Sequence, residues 1–155
     1  MTNKDSSQMI SVTSSKSQEH TILRDSILPG LLENLSKNIH ETYPQKFFES
    51  GIVFSKDTAI KETTRLACVT ASEETHFSEM KAILQSLLRI GFNVKCETKT
   101  LSNHALFSQG RVAEIIVNRK TIGYIGELDS KVLENFRIRT KVVGFEIKLS
   151  GLIFD

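Results

Sequence analysis

The sequence predicts an α+β domain on a largely antiparallel sheet, and three observations carry that expectation. Apolar residues recur at helical spacing in two separate stretches, residues 27–39 and 77–88. Other segments are rich in aromatic and β-branched residues, or alternate apolar with polar side chains, as half-buried strands do. Two of these, residues 112–117 and 121–128, flank the short polar link Asn118-Arg119-Lys120 and read as a β-hairpin. Helices and hairpins interleave without a regular βαβ repeat, which favours antiparallel pairing; about six or seven strands and about three helices are expected.

The elements follow in chain order. Residues 1–20 form a polar leader, in which little apolar surface offsets the entropy of ordering. Within it, Gln8-Met9-Ile10-Ser11-Val12 alternates weakly and reads either as an edge strand or as an unstructured lead-in. The domain proper is residues 21–155. Ile27, Leu28, Leu31, Leu32, Leu35 and Ile39 mark an amphipathic helix over residues 26–38, with Asp25 or Ser26 as its N-cap and Pro29 in its first turn, where a missing N–H costs little. Glu33 and Lys37 make a favourable i,i+4 pair on its wet side, and Tyr43-Pro44 blocks further helix. Phe47, Phe48, Ile52, Val53 and Phe54 mark a strand over residues 45–54, with Gly51 as a bulge or bend. A polar loop about Lys56-Asp57 leads to a short buried strand at residues 66–69. Phe77, Met80, Ile83, Leu84, Leu87 and Leu88 mark a second helix, capped by Thr75 and stopped by Gly91. Residues 92–98 alternate Phe92, Val94 and Cys96 with polar neighbours and read as a strand, and residues 101–110 as a polar loop. After the hairpin, Asp129 or Ser130 caps a short helix holding Val132, Leu133 and Phe136, and residues 142–149 form the last strand.

Composition removes whole classes of function. At 155 residues the chain is one domain's worth. No apolar run approaches the ~18 residues a membrane helix needs, and the start lacks a secretory signal's basic and apolar regions. A net charge of +2 and a pI of about 8.5 are too mild to announce a nucleic-acid face. Cys68 and Cys96 fit buried thiols of a reducing compartment better than a disulfide framework. The expected location is cytoplasmic.

Catalytic motifs are missing. His20, His40, His76 and His104 form no metal-ligand spacing, and no nucleophile elbow, P-loop or dinucleotide fingerprint occurs. Gly123 and Gly126 read as sites of close backbone packing. Asn103-His104 before Phe107 reads as an ordered turn. Arg111 either reaches a phosphate bidentately or pairs with Glu114 or a carbonyl. Arg137, Arg139 and Lys141, with Lys131 nearby, form a modest basic patch: a solvated face, or an RNA contact. No catalytic, cofactor-binding or metal-binding residue is assigned.

Several blocks are recognisable: Leu23-Arg24-Asp25-Ser26-Ile27-Leu28-Pro29-Gly30-Leu31-Leu32, Tyr43-Pro44-Gln45-Lys46-Phe47-Phe48-Glu49-Ser50-Gly51, Phe77-Ser78-Glu79-Met80, Gly110-Arg111-Val112-Ala113-Glu114, Ile122-Gly123-Tyr124-Ile125-Gly126-Glu127-Leu128, Val132-Leu133-Glu134-Asn135-Phe136 and Gly144-Phe145-Glu146-Ile147. In this order they resemble the C-terminal, catalytic-like core domain of the phenylalanyl-tRNA synthetase beta subunit, of the archaeal and eukaryotic-cytosolic type. The resemblance implies a class II synthetase-like antiparallel sheet flanked by helices, and an alpha subunit as partner. That partner holds ATP, magnesium and phenylalanine, two such pairs make a heterotetramer, and tRNA is met through the complex. It also implies that residues 26–38 correspond to the class II dimer-interface helix, so that Ile27, Leu31 and Leu35 form a subunit interface; the alternative is that this stripe is wholly core.

Class II enzymes hold nucleotide phosphates with arginines, one of them in a strand motif Phe-Arg-x-Glu. Phe47-Phe48-Glu49 has no arginine there, and the last strand runs into Ser150-Gly151-Leu152-Ile153-Phe154-Asp155 without one. The family's prolines near Ser14-Ser15 and His104-Ala105 are also missing. The expectation is a catalytically inactive domain excised from a longer subunit and prone to weak self-association through its orphaned helix. The alternatives are a stand-alone RNA-binding or protein-interaction module derived from that domain, and an independent enzyme that retained adenylation.

Overall fold

The structure is a computed structural model that describes residues 10, 23–56, 58–74 and 77–152. Among them are three helices and six strands: α1 (Leu28–Lys37), β1 (Gln45–Lys56), β2 (Ile60–Ser72), α2 (Phe77–Phe92), β3 (Glu97–Leu101), β4 (Phe107–Val117), β5 (Lys120–Leu128), α3 (Ser130–Asn135) and β6 (Lys141–Lys148). All strands join one antiparallel sheet in the order β1-β2-β6-β5-β4-β3. The α+β expectation holds. The leader, with its weak strand, lies outside the described residues apart from Ile10, whose carbonyl accepts from Leu23 N–H at 2.8 Å.

Each face of the sheet carries its own core. On one, α1 lays Leu28, Leu31, Leu32 and Leu35 over Val53, Ala67, Val69, Ala71 and Val142, with Leu133 and Ile138 from the α3 region beside them. On the other, Met80, Leu84 and Leu88 of α2 cover Ile115, Ile125, Val143, Phe145 and Ile147. At roughly 1.5–3 kcal/mol for each fully buried large apolar side chain, this packing rather than helix propensity holds the ten-residue α1 in place. Strand β6 sits mid-sheet with six consecutive buried residues, so its alternation serves two cores and not a core and a solvent face.

Burial overturns one expectation. Ile27, Leu31 and Leu35 are 0%, 1% and 2% exposed, so they belong to this chain's own core and offer no surface to a subunit interface. The stripe matches the inner face of the sheet, which uses all of it.

Several boundaries differ from the sequence reading. Gly91 does not stop α2, which continues to Phe92 and ends at Asn93, whose φ of 54° supplies the left-handed turn. The strand expected at residues 92–98 begins only at Glu97; Phe92, Val94 and Cys96 satisfy their alternation by packing beside the α2 core from helix end and loop. The polar loop closes early, because β4 starts at Phe107. Strand β2 extends far beyond residues 66–69, since its polar first half needs only the hydrogen bonds of β1. Gly51 makes no bulge, the β1–β2 register being unbroken; its missing side chain leaves room for the Arg24 guanidinium. The Thr75 cap lies outside the described residues.

Other expectations stand. Asn118 and Arg119 close the β4–β5 hairpin with φ of 49° and 64°, both left-handed as a two-residue type I′ turn requires. Asp129 caps α3 by accepting from Lys131 N–H at 2.9 Å. Lys37 and Glu33 pair at 2.8 Å. Gly123 and Gly126 are sites of close approach: a Cβ would lie 1.9 Å from the Glu146 carbonyl oxygen and 2.6 Å from that of Arg111, respectively.

Two outcomes test this architecture. Leu31→Ala is expected to lose about 2–5 kcal/mol in urea unfolding, an effect an exposed interface residue would not show in the isolated chain. Arg119→Gly is expected to raise the unfolding free energy modestly, by about 0.5–1 kcal/mol, seen as a higher urea midpoint, because glycine tolerates φ above zero.

Candidate functional site: a cavity around a buried carboxylate

A cavity of about 350 Å³ opens on the α1 side of the sheet, lined among others by Leu28, Pro29, Arg65, His104, Phe107 and Tyr124. Its organising group is Glu146 on β6. A lone acid inside an otherwise apolar buried strand demands compensation, because a buried charge costs several kcal/mol unless paired. Glu146 is 6% exposed and four donors converge on it. Ser26 Oγ donates to Oε2 at 2.7 Å, and the backbone N–H groups of Ile27 and Leu28 donate to the same oxygen at 3.0 and 3.1 Å. Arg65 Nη1 donates to Oε1 at 2.7 Å.

The carboxylate therefore caps α1. The N-cap residue is Ile27, with no side-chain cap of its own, so neither Asp25 nor Ser26 plays the expected role. Ser26 contributes as a donor to Glu146, and the acid arrives from the sheet, where its charge meets the positive end of the α1 dipole. The geometry works because Tyr124 of β5 lies directly opposite Glu146 of β6, and Arg65, two residues before Glu146's partner Ala67 on β2, shares that face of the sheet. The signal in the sequence was the acid within Gly144-Phe145-Glu146-Ile147, but no local rule names donors 81 to 120 residues away.

The rest of the cavity is aromatic and turn-like. His104 lies 4.5 Å from the Tyr124 ring and 5.0 Å from that of Phe107, centroid to centroid. Its Nδ1 accepts from Leu106 N–H at 3.2 Å. That is the ordered turn beside Phe107. Arg65 keeps a buried Nε with no hydrogen-bond partner among the described residues.

The remaining candidates do not come together. Arg111 pairs with Glu127 at 2.5 Å, not with Glu114. Arg24, ahead of α1, donates from Nη1 to Glu49 and from Nε to the Ile52 carbonyl at 2.9 Å, so Glu49 of the arginine-less strand motif already has a cation. Burial pushes both thiols up, Cys68 against a lowering by Lys46 and Cys96 against its own backbone bond and Lys81, which leaves them protonated and poorly nucleophilic at neutral pH; Cys96 stands in the loop before β3, not on a strand. Arg137, Arg139 and Lys141 are exposed, far along the chain from the cavity-lining α1 and β2 residues, and no ion pair joins them to an acid among the described residues. His20 and His76 lie outside the described residues. Among the described residues no three His, Cys, Asp or Glu side chains gather as a metal site, and no helix is long and apolar enough to cross a membrane.

The arrangement suits structure more than phosphate chemistry. Arg65 is the one arginine lining the cavity, and Glu146 already balances its charge. Lys148, at the end of β6, is the other Lys or Arg of the lining. Replacing Glu146 by Gln is expected to lower stability by about 3 kcal/mol, through an uncompensated Arg65 and a weakened cap. In Glu146→Ala the four donors face an empty pocket. Added acetate or formate is then expected to raise Tm of that variant and leave the unsubstituted chain unmoved, read by circular dichroism against chloride at equal ionic strength.

Known proteins share this sequence and fold. The profile of the family described as the phenylalanyl tRNA synthetase beta chain CLM domain matches residues 1–149. The phenylalanine–tRNA ligase beta subunit of Pyrococcus abyssi is 39% identical over 150 residues, 94% of this chain and 26% of that protein. The beta subunit of Methanocaldococcus jannaschii is 40% identical over 146 residues, 90% of this chain and 26% of its own length. The chain thus spans about a quarter of these relatives. Among solved structures, the pyrrolysyl-tRNA synthetase of Desulfitobacterium hafniense superposes with a TM-score of 0.72 at 17% identity, covering 95% of this chain and 52% of that one. That likeness gives the sheet and its helices an aminoacyl-tRNA synthetase fold. With the family profile covering nearly all of its residues, this chain belongs to the phenylalanyl-tRNA synthetase beta chain CLM domain family.

Proposed function

We propose that the chain is the non-catalytic core of a phenylalanine–tRNA ligase beta subunit, set in the C-terminal part of that subunit. Its partner is the alpha subunit, which binds ATP and magnesium and attaches phenylalanine to its tRNA in the cytoplasm, within a heterotetramer. The observation that carries this reading is the neutralised Arg65: the cavity holds its one arginine in an internal ion pair with Glu146, so the guanidinium that would suit bidentate phosphate binding is spent. Family membership supplies the subunit context. The domain's part is to complete the assembly; the chain alone binds no ATP or magnesium for catalysis.

Phenylalanine-dependent ATP–pyrophosphate exchange tests it. The expected outcome is no exchange above background with this chain alone, and exchange restored when the matching alpha chain is present with a beta subunit containing this domain. Exchange by the isolated chain sinks the reading.

A second reading rests on the exposed Arg137, Arg139 and Lys141, which follow α3 and open β6: they touch tRNA phosphates in the assembled ligase. Reversing all three to Glu is expected to weaken tRNA binding by the complex and flatten its salt dependence. Equal affinity and equal salt slope in the variant would remove this contact.

A further inference from the structure

Two arginines of this chain sit in backbone that arginine avoids. Among the described residues the non-glycine positions with positive φ are Asn93, Asn118, Arg119 and Arg137. Asparagine visits the left-handed region readily, but a long side chain there is strained, and glycine is what such turns favour. Arg119, at φ 64°, takes the second place of the β4–β5 turn, and Arg137, at φ 58°, follows α3. Neither guanidinium joins an ion pair among the described residues. Strain that no internal contact offsets points to a side chain used on something outside the chain. For Arg137 that is the tRNA contact already described; Arg119 lies at the other end of β5.

Other cations surround Arg119. Lys120 pairs with Val117, whose side chain belongs to the core under α2, so Lys120 stands on the α2 face of the sheet. Strand β3 begins with Glu97 opposite Ile116, which brings the loop before it, with Lys95, to the same hairpin end. Between that loop and α2 runs a groove of about 330 Å³, lined among others by Gln85, Ser86, Arg89 and Lys95 and by no carboxylate among the described residues. Arg89, Lys95, Arg119 and Lys120 are all exposed, and none is ion-paired among the described residues. Glu97 and Glu114 lie on the opposite face, out of phase with Ile115 and Val117, which face α2.

We infer that this hairpin end of the α2 face is a contact for the phosphodiester backbone of RNA, with Arg119 as its anchor. Guanidinium, ammonium, hydroxyl and amide groups all donate, and phosphate oxygens accept without donating. A protein partner favours patches poor in lysine with aromatic anchors; here two of the four cations are lysines, and no aromatic side chain lines the groove among the described residues. The helix dipole accounts for Arg89 in the last turn of α2, and Lys95 and Lys120 are ordinary surface lysines taken singly. Arg119 is the position that folding alone leaves unexplained, because glycine closes the same turn with less strain. The contact deepens the subunit reading, from which it takes only the choice of tRNA as the RNA. ATP–pyrophosphate exchange tests that reading and backbone binding tests this contact, so either can fail alone.

Fluorescence anisotropy of a labelled phenylalanine tRNA transcript, titrated with the 155-residue chain, tests this. With four cations on phosphates, affinity is expected to fall roughly a hundredfold between about 50 and 200 mM KCl. Arg119→Gly is expected to weaken binding about fivefold at the lower salt and to lower the salt slope by about one. Urea unfolding of the same variant is expected to show a chain more stable than the unsubstituted one. Affinity and stability moving in opposite directions separate an external contact from a structural part. Replacing Arg89, Lys95 and Lys120 together by Gln is expected to weaken binding by a further factor of about ten. Lys99→Gln removes the same charge from the other face of β3, opposite Glu114, and is expected to change affinity by less than about twofold. No binding at the lower salt, an unaffected Arg119→Gly, an equal loss in Lys99→Gln, displacement of the tRNA by micromolar ATP, or competition by polyglutamate as strong as by unlabelled tRNA would each overturn the inference.

Discussion

One buried carboxylate must be satisfied for the α1 side of the sheet to exist. Glu146 brings a charge into the middle of an apolar strand, and its four donors come from two other parts of the chain, the entry to α1 and the first half of β2. Desolvating an acid is costly, so the native arrangement is the one in which all of these arrive together. Helix α1 has no local cap and depends on this acid for its first N–H groups. Arg65 depends on it for a counter-charge. The cavity between them takes its shape from where Glu146 holds α1, and the same bond that secures the helix spends the cavity's arginine.

That dual role keeps the one arginine of the cavity engaged inside a synthetase-like fold. In an enzyme of this architecture a guanidinium must remain available to an incoming anion. Here an internal acid occupies the place of one, and the gain is conformational. Such an internal ligand fixes the position of α1 without a bound substrate.

Much of the fold was legible because local chemistry and tertiary packing agree. The spacing of Leu28, Leu31, Leu32 and Leu35, the left-handed pair Asn118-Arg119 and the Asp129 cap each follow from rules that act within a few residues. Failures arose where distant partners decide. The apolar stripe of α1 is equally compatible with a subunit interface or a sheet, and only its depth in the fold resolves this. Phe92, Val94 and Cys96 alternate like a strand yet pack from a helix end and a loop, because the core under α2 accepts apolar side chains from any backbone. Residues 60–65 are too polar to read as strand, but backbone pairing with β1 is enough. Glu146 was visible only as an oddity within a hydrophobic segment. The motif blocks identified the family, while the logic of the cavity needed coordinates.

The position of β6 has a consequence for biosynthesis. It is the last of the described strands to be made, yet it lies between β2 and β5 and feeds both cores. Until the ribosome releases it, the β1–β2 hairpin and the β3–β4–β5 meander are separate sheets with bare facing edges, and α1 waits without the acid that closes its first turn. A vectorially emerging chain can build local hairpins early, but their union is a late, all-or-none event. During that interval the two fragments expose four strand edges, β1, β2, β5 and β3, instead of the two at the ends of the completed sheet, and bare edges of this kind are templates for mispairing.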